Sequence, residues 1–296
     1  MPKTLVILLG PTGVGKTDLS IGLAERLGSP VISADSRQIY RELPIGTAAP
    51  TAEQQARVKH YFVGTHSIAD SYSAGQYEAD CLKLLDELFQ TRDTLLLTGG
   101  SMMYIDAVCR GFDDIPDIAP AIRQKVRAMF DAEGLPALLG ELQHLDPEHY
   151  ARVDRQNHQR VMRALEVCYQ TGKTYSEFRT GQARQRPFSI VKIGLNRPRA
   201  ELYERINHRV DIMLENGLLE EVRSVMPYAH LNSLNTVGYK ELFPYYRNET
   251  TLEQAVEQIK TDSRRYAKRQ LTWFRSDPDI RWLDASTPIN PNDIQI

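Results

Sequence analysis

The segment Gly10-Pro-Thr-Gly-Val-Gly-Lys-Thr17 constrains the chain more than any other. It follows the apolar run Leu5 to Leu9 and opens onto a helix-like stretch from Asp18 to Leu27, the strand, glycine loop and helix succession that a P-loop requires. Glycines let successive backbone N–H groups turn onto phosphate oxygens, and the helix N-terminus adds the positive end of its dipole. All eight positions (Gly10, Pro11, Thr12, Gly13, Val14, Gly15, Lys16 and Thr17) are therefore expected to border a polyphosphorylated ligand. Lys16 is placed to bring a mobile cation to the outer phosphate, and Thr17 to put a hydroxyl on a bridging Mg²⁺. A turn that only joins a strand to a helix needs none of this specificity. Whether the ligand is a nucleotide or another pyrophosphate stays open at this point.

A chain of 296 residues can form one large domain or two small ones and can bury a real core. No apolar run reaches the length of a membrane span, and Met1-Pro-Lys leads into a strand without a leader, so a cytoplasmic location is expected. Cys81, Cys109 and Cys168 are scattered, which argues against a disulfide framework and a zinc site. The histidines show no metal-type spacing. The net charge of −2 conceals basic clusters: Lys260 to Arg275 carries six cations against Asp262; a second cluster is Arg152, Arg155, Arg160 and Arg163, and a third Arg179, Arg184 and Arg186. Such faces track a phosphate backbone even on a near-neutral protein, although a charge run is often only a solvated helix face.

Along the chain, Pro30 to Ser36 is apolar with a polar tip, the pattern of a buried parallel strand that delivers Asp35 beside the P-loop. Helix signals cover Ala52 to Lys59, Ala74 to Thr91 and Met102 to Arg110; strands are expected at Tyr61 to Gly64 and Thr94 to Gly100, with Ser101 at an N-cap position. From Ile115 to about Arg186 only helical periodicity is found, in Ala119 to Glu133, Leu135 to Leu145 and Asn157 to Gln170. Alternation resumes with a strand at Phe188 to Leu195, helices at Arg199 to Asn216, Leu218 to Met226 and Thr251 to Phe274, and a last strand at Ile280 to Leu283. The expected fold class is α/β: a P-loop NTPase-like three-layer core with a mainly parallel sheet, from residues 1–112 and 188–296, and an all-helical insertion over 113–187. The connections Gly111 to Pro116 and Gly181 to Pro187 carry glycine and proline, which suits a mobile clamp.

Asp35-Ser-Arg-Gln-Ile-Tyr40, Gly99-Gly-Ser101, Asn157-His-Gln-Arg-Val161, Arg163-Ala-Leu-Glu166, Val237-Gly-Tyr239 and Ala267-Lys-Arg-Gln-Leu-Thr-Trp273 follow one another in an order that resembles the bacterial tRNA dimethylallyltransferases. The resemblance runs from the P-loop to Trp273. It departs at Ser101, where the family has threonine, and at Ala49, where lysine is usual; the C-terminal zinc finger of eukaryotic relatives has no counterpart.

The resemblance implies transfer of a dimethylallyl group from its diphosphate to the N6 amine of the adenosine 3′ of the anticodon, in tRNAs reading codons that start with U. It implies Mg²⁺ as cofactor and tRNA and dimethylallyl diphosphate as partners; a monomer is expected. The residue chemistry fits: fixed N–H donors, Lys16 and Mg²⁺ suit a pyrophosphate leaving group, and Asp35 at a strand end suits either a general base or a carboxylate serving the metal. The resemblance assigns Asp35 the base role and Ser101 a contact near the reacting base, so Lys16, Thr17, Asp35 and Ser101 form the catalytic set. It offers one arginine, Arg205 or Arg209, to the diphosphate; the other is expected to pair with Glu201 or Glu204. Expected tRNA contacts are Asp35, Ser36, Arg37, Gln38, Ser101, Arg123, Gln159, Arg160, Val161, Met162 and Arg163 by resemblance, and Arg264, Lys268 and Arg269 from the last long helix. Tyr40, Tyr104 and Tyr239 are more simply packing residues.

Three rivals use the same scaffold differently. A small-molecule kinase would turn over ATP, an adenylate isopentenyltransferase would prenylate free AMP or ADP, and a non-catalytic binding module would leave Asp35 unexplained.

Overall fold

The computed structural model describes residues 2–113, 115–179, 181 and 183–296. Asp114 and Gln182, inside the two connections read as hinges, lie outside them. The chain divides into two compact units, 1–109 with 186–296, and 110–185.

The first unit is built on six parallel strands: β1 (Thr4–Leu9), β2 (Val31–Ala34), β3 (His60–Tyr61), β4 (Thr94–Gly99), β5 (Ser189–Asn196) and β6 (Ile280–Asp284), in the order β3-β2-β4-β1-β5-β6. The helices of this unit are α1 (Lys16–Leu27), α2 (Ala52–Arg57), α3 (Ala74–Leu88) and α4 (Met102–Arg110), then, after the insertion, α9 (Arg199–Glu215), α10 (Leu218–Val225), α11 (Leu242–Tyr246) and α12 (Leu252–Phe274). Alternation along the strands divides their side chains between two layers. Leu5, Ile7, Leu9, Leu95 and Leu97 pack with Tyr77, Cys81 and Leu85 of α3 and Ile105 and Val108 of α4. Val6, Leu8, Leu96, Ile193 and Leu195 pack with Leu19 and Leu23 of α1, Leu202 and Ile206 of α9 and Ala267 of α12. Both faces are covered, which is why these strands read as continuous apolar runs.

Register decides where the site forms. Leu9 is level with Gly99 and Ala34 with Gly99, so β1, β2 and β4 end together, while β5, level with Leu9 at Gly194, runs two residues further to Asn196. Gly10, Asp35, Gly100 and Arg197, just beyond these ends, are therefore delivered to one edge, where open α/β sheets bind ligands.

The second unit is helical: α5 (Pro120–Leu145), α6 (Pro147–Arg152), α7 (His158–Thr171) and α8 (Tyr175–Phe178). α5 is the two expected helices joined across Gly134, whose φ of 75° interrupts the helix. Val126, Leu138, Leu142, Val161, Met162 and Leu165 form the core of this unit. Among the described residues, no helix is long and apolar enough to cross a membrane.

Candidate active site

The phosphate loop is shaped by backbone that only glycine adopts freely: Gly13 has φ 78° and Gly15 φ 107°. The amides of Gly13, Gly15, Lys16 and Thr17 make no hydrogen bond to another described group, and no side chain caps α1. These are the donors a phosphate takes at a helix N-terminus. The carbonyls on the loop are held instead: Arg205 Nε donates to Gly13 O and Arg197 Nε to Val14 O, both at 2.9 Å. Lys16 Nζ donates to Gly10 O and Pro11 O, both at 2.9 Å. Burial lowers its pKa to about 8, opposed by the charge of Asp35 and reinforced by Arg209.

Asp35 follows β2. Its Oδ1 accepts the backbone N–H groups of Arg37 at 2.9 Å and Gln38 at 3.2 Å, which fixes the carboxylate and keeps the turn to Tyr40 tight. Oδ2 accepts no hydrogen bond from the described groups, so one carboxylate oxygen is available to a substrate proton. Arg209 faces the same place: burial lowers its pKa, the Asp35 charge opposes that, and Arg205 adds to it. Lys16 and Arg209 thus both lie within electrostatic reach of the Asp35 carboxylate.

Ser101 is not a side-chain helix cap. Its carbonyl accepts from Ile105 N at 3.1 Å, but its Oγ accepts from Ser36 N at 2.8 Å and donates to Ser36 Oγ at 3.1 Å, tying the β4 end to the Asp35 turn. Tyr266 on α12, absent from the sequence expectations, belongs to this group. Burial and the Asp35 charge push its phenol up to about 12, while Arg37 and a hydrogen bond with Ser101 act the other way. Arg37 donates to Ser233 O at 3.0 Å, and Gln38 Nε2 to Thr47 O and Ala48 O.

Other sequence expectations are revised by the geometry. Neither Arg205 nor Arg209 pairs with Glu201 or Glu204; Arg197 takes Glu201, while Arg205 serves Gly13 O. Val161 and Met162 are removed from the RNA contacts, because α7 turns both into the core of the second unit, where Val161 is fully buried. Arg123, Gln159 and Arg160 are exposed on that unit, and Arg163 lies 3.6 Å from Glu166. On α12, Lys268 and Arg269 are exposed, but Arg264 bonds Asn207 Oδ1 and Thr261 Oγ1. Arg186 of the third basic cluster is buried against Glu78. Tyr104 stacks on Tyr77 at 4.0 Å and Tyr239 is fully buried, both as packing residues.

Residues 38–277 match the profile of the IPP transferase family. The chain is 61% identical over 281 residues to tRNA dimethylallyltransferase 2 of Parabacteroides distasonis, covering 95% of this chain and 94% of that protein. It is 59% identical to tRNA dimethylallyltransferase 1 of Phocaeicola vulgatus over 98% of this chain and 97% of that one. Among solved structures it resembles the full-length tRNA isopentenylpyrophosphate transferase of Bacillus halodurans, with TM-score 0.70 and 37% identity over 96% of this chain and 90% of that chain. It also resembles a eukaryotic dimethylallyltransferase acting on tRNA, with TM-score 0.81 and 26% identity over 96% and 74%. This chain belongs to the IPP transferase family.

Proposed function

We propose that the protein transfers a dimethylallyl group from dimethylallyl diphosphate to the exocyclic N6 amine of the adenosine 3′ of the anticodon, in tRNAs reading codons that start with U, releasing pyrophosphate. The observation that carries this reading is a cradle of N–H groups at Gly13, Gly15, Lys16 and Thr17 beside the strand end that delivers Asp35, whose carboxylate keeps one oxygen uncommitted. A cradle of N–H groups suits a leaving diphosphate. A carboxylate with one oxygen uncommitted suits a proton on an amine.

In this reading the bond between the allylic carbon and the diphosphate oxygen breaks while N6 bonds to that carbon. Gly13, Gly15, Lys16 and Thr17 N–H groups, Lys16 Nζ and Arg209 take up the charge that grows on the pyrophosphate. Asp35 Oδ2 receives the N6 proton, and Oδ1 stays bound to the Arg37 and Gln38 amides so that the carboxylate does not rotate away. Ser101, through Ser36, keeps the Asp35 turn in place for the base. The adenosine must leave its stack to reach a strand end, so recognition falls on an unpaired loop. The Ser36, Arg37 and Gln38 segment and exposed Lys268 and Arg269 on the first unit, and exposed Arg123, Gln159 and Arg160 with Arg163 on the second, are the proposed RNA contacts. Arg264 enters only as support for α12.

Mg²⁺ fits as an ion shared with the substrate. Among the described residues no three His, Cys, Asp or Glu side chains come together to cage a metal, and Thr17 Oγ1 makes no hydrogen bond to a described group. A hydroxyl with diphosphate oxygens and water is a ligand set this cation accepts. When bound it would neutralise charge on the diphosphate. A monomer acting in the cytoplasm, where tRNA is matured, completes the proposal.

The test is transfer of labelled dimethylallyl diphosphate, with Mg²⁺, to an anticodon stem-loop bearing adenosine next to the anticodon. Label in that RNA supports the reading. Label in AMP instead, or ATP turnover without transfer, overturns it.

A further inference from the structure

Gln270 is an amide in the middle of α12 with 2% of its surface exposed. A buried amide must spend both its oxygen and its nitrogen. Here the oxygen accepts from Thr12 N at 2.9 Å and the nitrogen donates to Gly100 O at 2.8 Å, 258 and 170 residues away. Neither partner lies in a helix or a strand, so neither bond completes a ladder.

Each end of the amide holds one side of the reaction. Pro11 has no N–H, and Thr12 is the P-loop residue whose amide is spent on a side chain, so Gln270 sets where the cradle begins. Gly100 precedes Ser101, whose N–H donates to Ala34 O at 3.1 Å and whose Oγ accepts from Ser36 N at 2.8 Å. Those two bonds bracket Asp35. A Cβ on Gly100 would stand 2.4 Å from Gln270 Nε2, so only glycine there lets the amide reach its carbonyl.

We infer that Gln270 is a positioning residue that fixes the distance between the diphosphate cradle and the base that accepts the N6 proton. The inference rests on the activity given under "Proposed function". It goes beyond it by naming a side chain through which the donor side and the acceptor side are held to each other. Because the reacting atoms must align closely, a shift of about 1 Å between the two sides costs on the order of 100-fold in rate.

The test compares wild type, Gln270→Leu and Gln270→Glu. A glutamate retains the acceptor for Thr12 N–H but has no hydrogen for Gly100 O until it is protonated, and burial raises its pKa. Expected for Gln270→Glu is a kcat about 100-fold below wild type, with the Kd for inorganic pyrophosphate within about threefold. The deficit should shrink as pH falls, since the protonated acid reproduces both bonds. In Gln270→Leu the loss is pH-independent, and the Thr12 amide, protected from hydrogen exchange in wild type and Gln270→Glu, exchanges at least tenfold faster.

Rates within about threefold of wild type in both variants, or a Glu deficit that does not change with pH, would overturn the inference. So would equal protection of the Thr12 amide in Gln270→Leu. Failure of the parent reading appears separately, as absence of transfer to RNA by the wild type, while the exchange measurement still decides whether Gln270 holds the loop.

Discussion

Arg197 Nε donates to the carbonyl of Val14 at 2.9 Å, from a side chain on the chain just beyond β5. Because a trans peptide points its C=O and N–H in opposite directions, holding the Val14 carbonyl turns the Gly15 N–H the other way, into the cradle. Arg205 holds the preceding carbonyl, that of Gly13, whose peptide N–H on Val14 turns back to Pro11 O at 3.4 Å. The guanidinium groups converge, with Nη2 atoms 3.6 and 3.8 Å from where a Cβ of Gly15 would be. The loop is held in its binding shape from behind.

Arg197→Ala is expected to weaken pyrophosphate binding about tenfold, since a charged hydrogen bond contributes roughly 1.5–3 kcal/mol and only part of it bears on the cradle. Arg197→Lys recovers little of this, lacking the planar fork that bonds Val14 O and Glu201 together. Calorimetric titration with pyrophosphate measures both. Unchanged affinity in Arg197→Ala would remove the backing role.

Lys16 gives the pH dependence its sign. Its ammonium, held near pKa 8 in place of the ordinary 10.5, is charged below that pH and neutral above it. The kcat/KM for the allylic diphosphate, which reports the free protein, should therefore be level near neutrality and fall as pH rises through about 8. Lys16→Arg should carry lower activity but move this descending limb out of the accessible range. A wild-type profile that stays flat to pH 10 contradicts the assignment.

Most of the α/β core was legible in the sequence because its signals are local. The apolar runs of β1, β2, β4 and β5, the P-loop and the periodicity of α9 and α12 each lie within one short window. The bonds that tune the site are not local. Gln270, Arg197 and Tyr266 act on residues at the far end of the chain, and no periodicity announces a buried polar contact of that range. At Ser101 the local signal is the helix start, and the backbone bears it out through Ile105 N, but the partner of its hydroxyl, Ser36, lies 65 residues away and leaves no mark in the local pattern. α8 did have a local signal, the Thr174 and Glu177 capping box, but four residues are too few for periodicity. Val161 and Met162 show the limit of motif transfer, since a recognised stretch of helix contains its core face along with its functional face.

That division on α7 is testable. Val161→Ala should destabilise the protein by on the order of 2 kcal/mol, because the site is fully buried and leaves a cavity, and should lower the melting temperature. Arg160→Ala, at an exposed position, should leave melting unchanged and weaken stem-loop binding, with a smaller dependence of affinity on salt. The reverse pattern would return Val161 to the RNA contacts.

Glu221 on α10 accepts from Ile45 N, Gly46 N and Tyr239 Oη at 2.7, 2.8 and 2.5 Å, anchoring the loop that Gln38 reaches. Glu221→Ala leaves two part-buried backbone donors and a buried phenol without partners, an expected loss of about 2–5 kcal/mol in chemical denaturation. A loss under about 1 kcal/mol would mean the loop is held by other contacts.

The central claim is that Asp35 accepts the N6 proton beside a separately built phosphate cradle. Its most direct test is the single-turnover rate of Asp35→Asn on the anticodon stem-loop, read with pyrophosphate affinity. The amide keeps the acceptor for the Arg37 and Gln38 N–H groups but is no base, so transfer should slow by about 10²–10⁴ while pyrophosphate Kd stays within about threefold. Transfer at close to the wild-type rate would contradict the account.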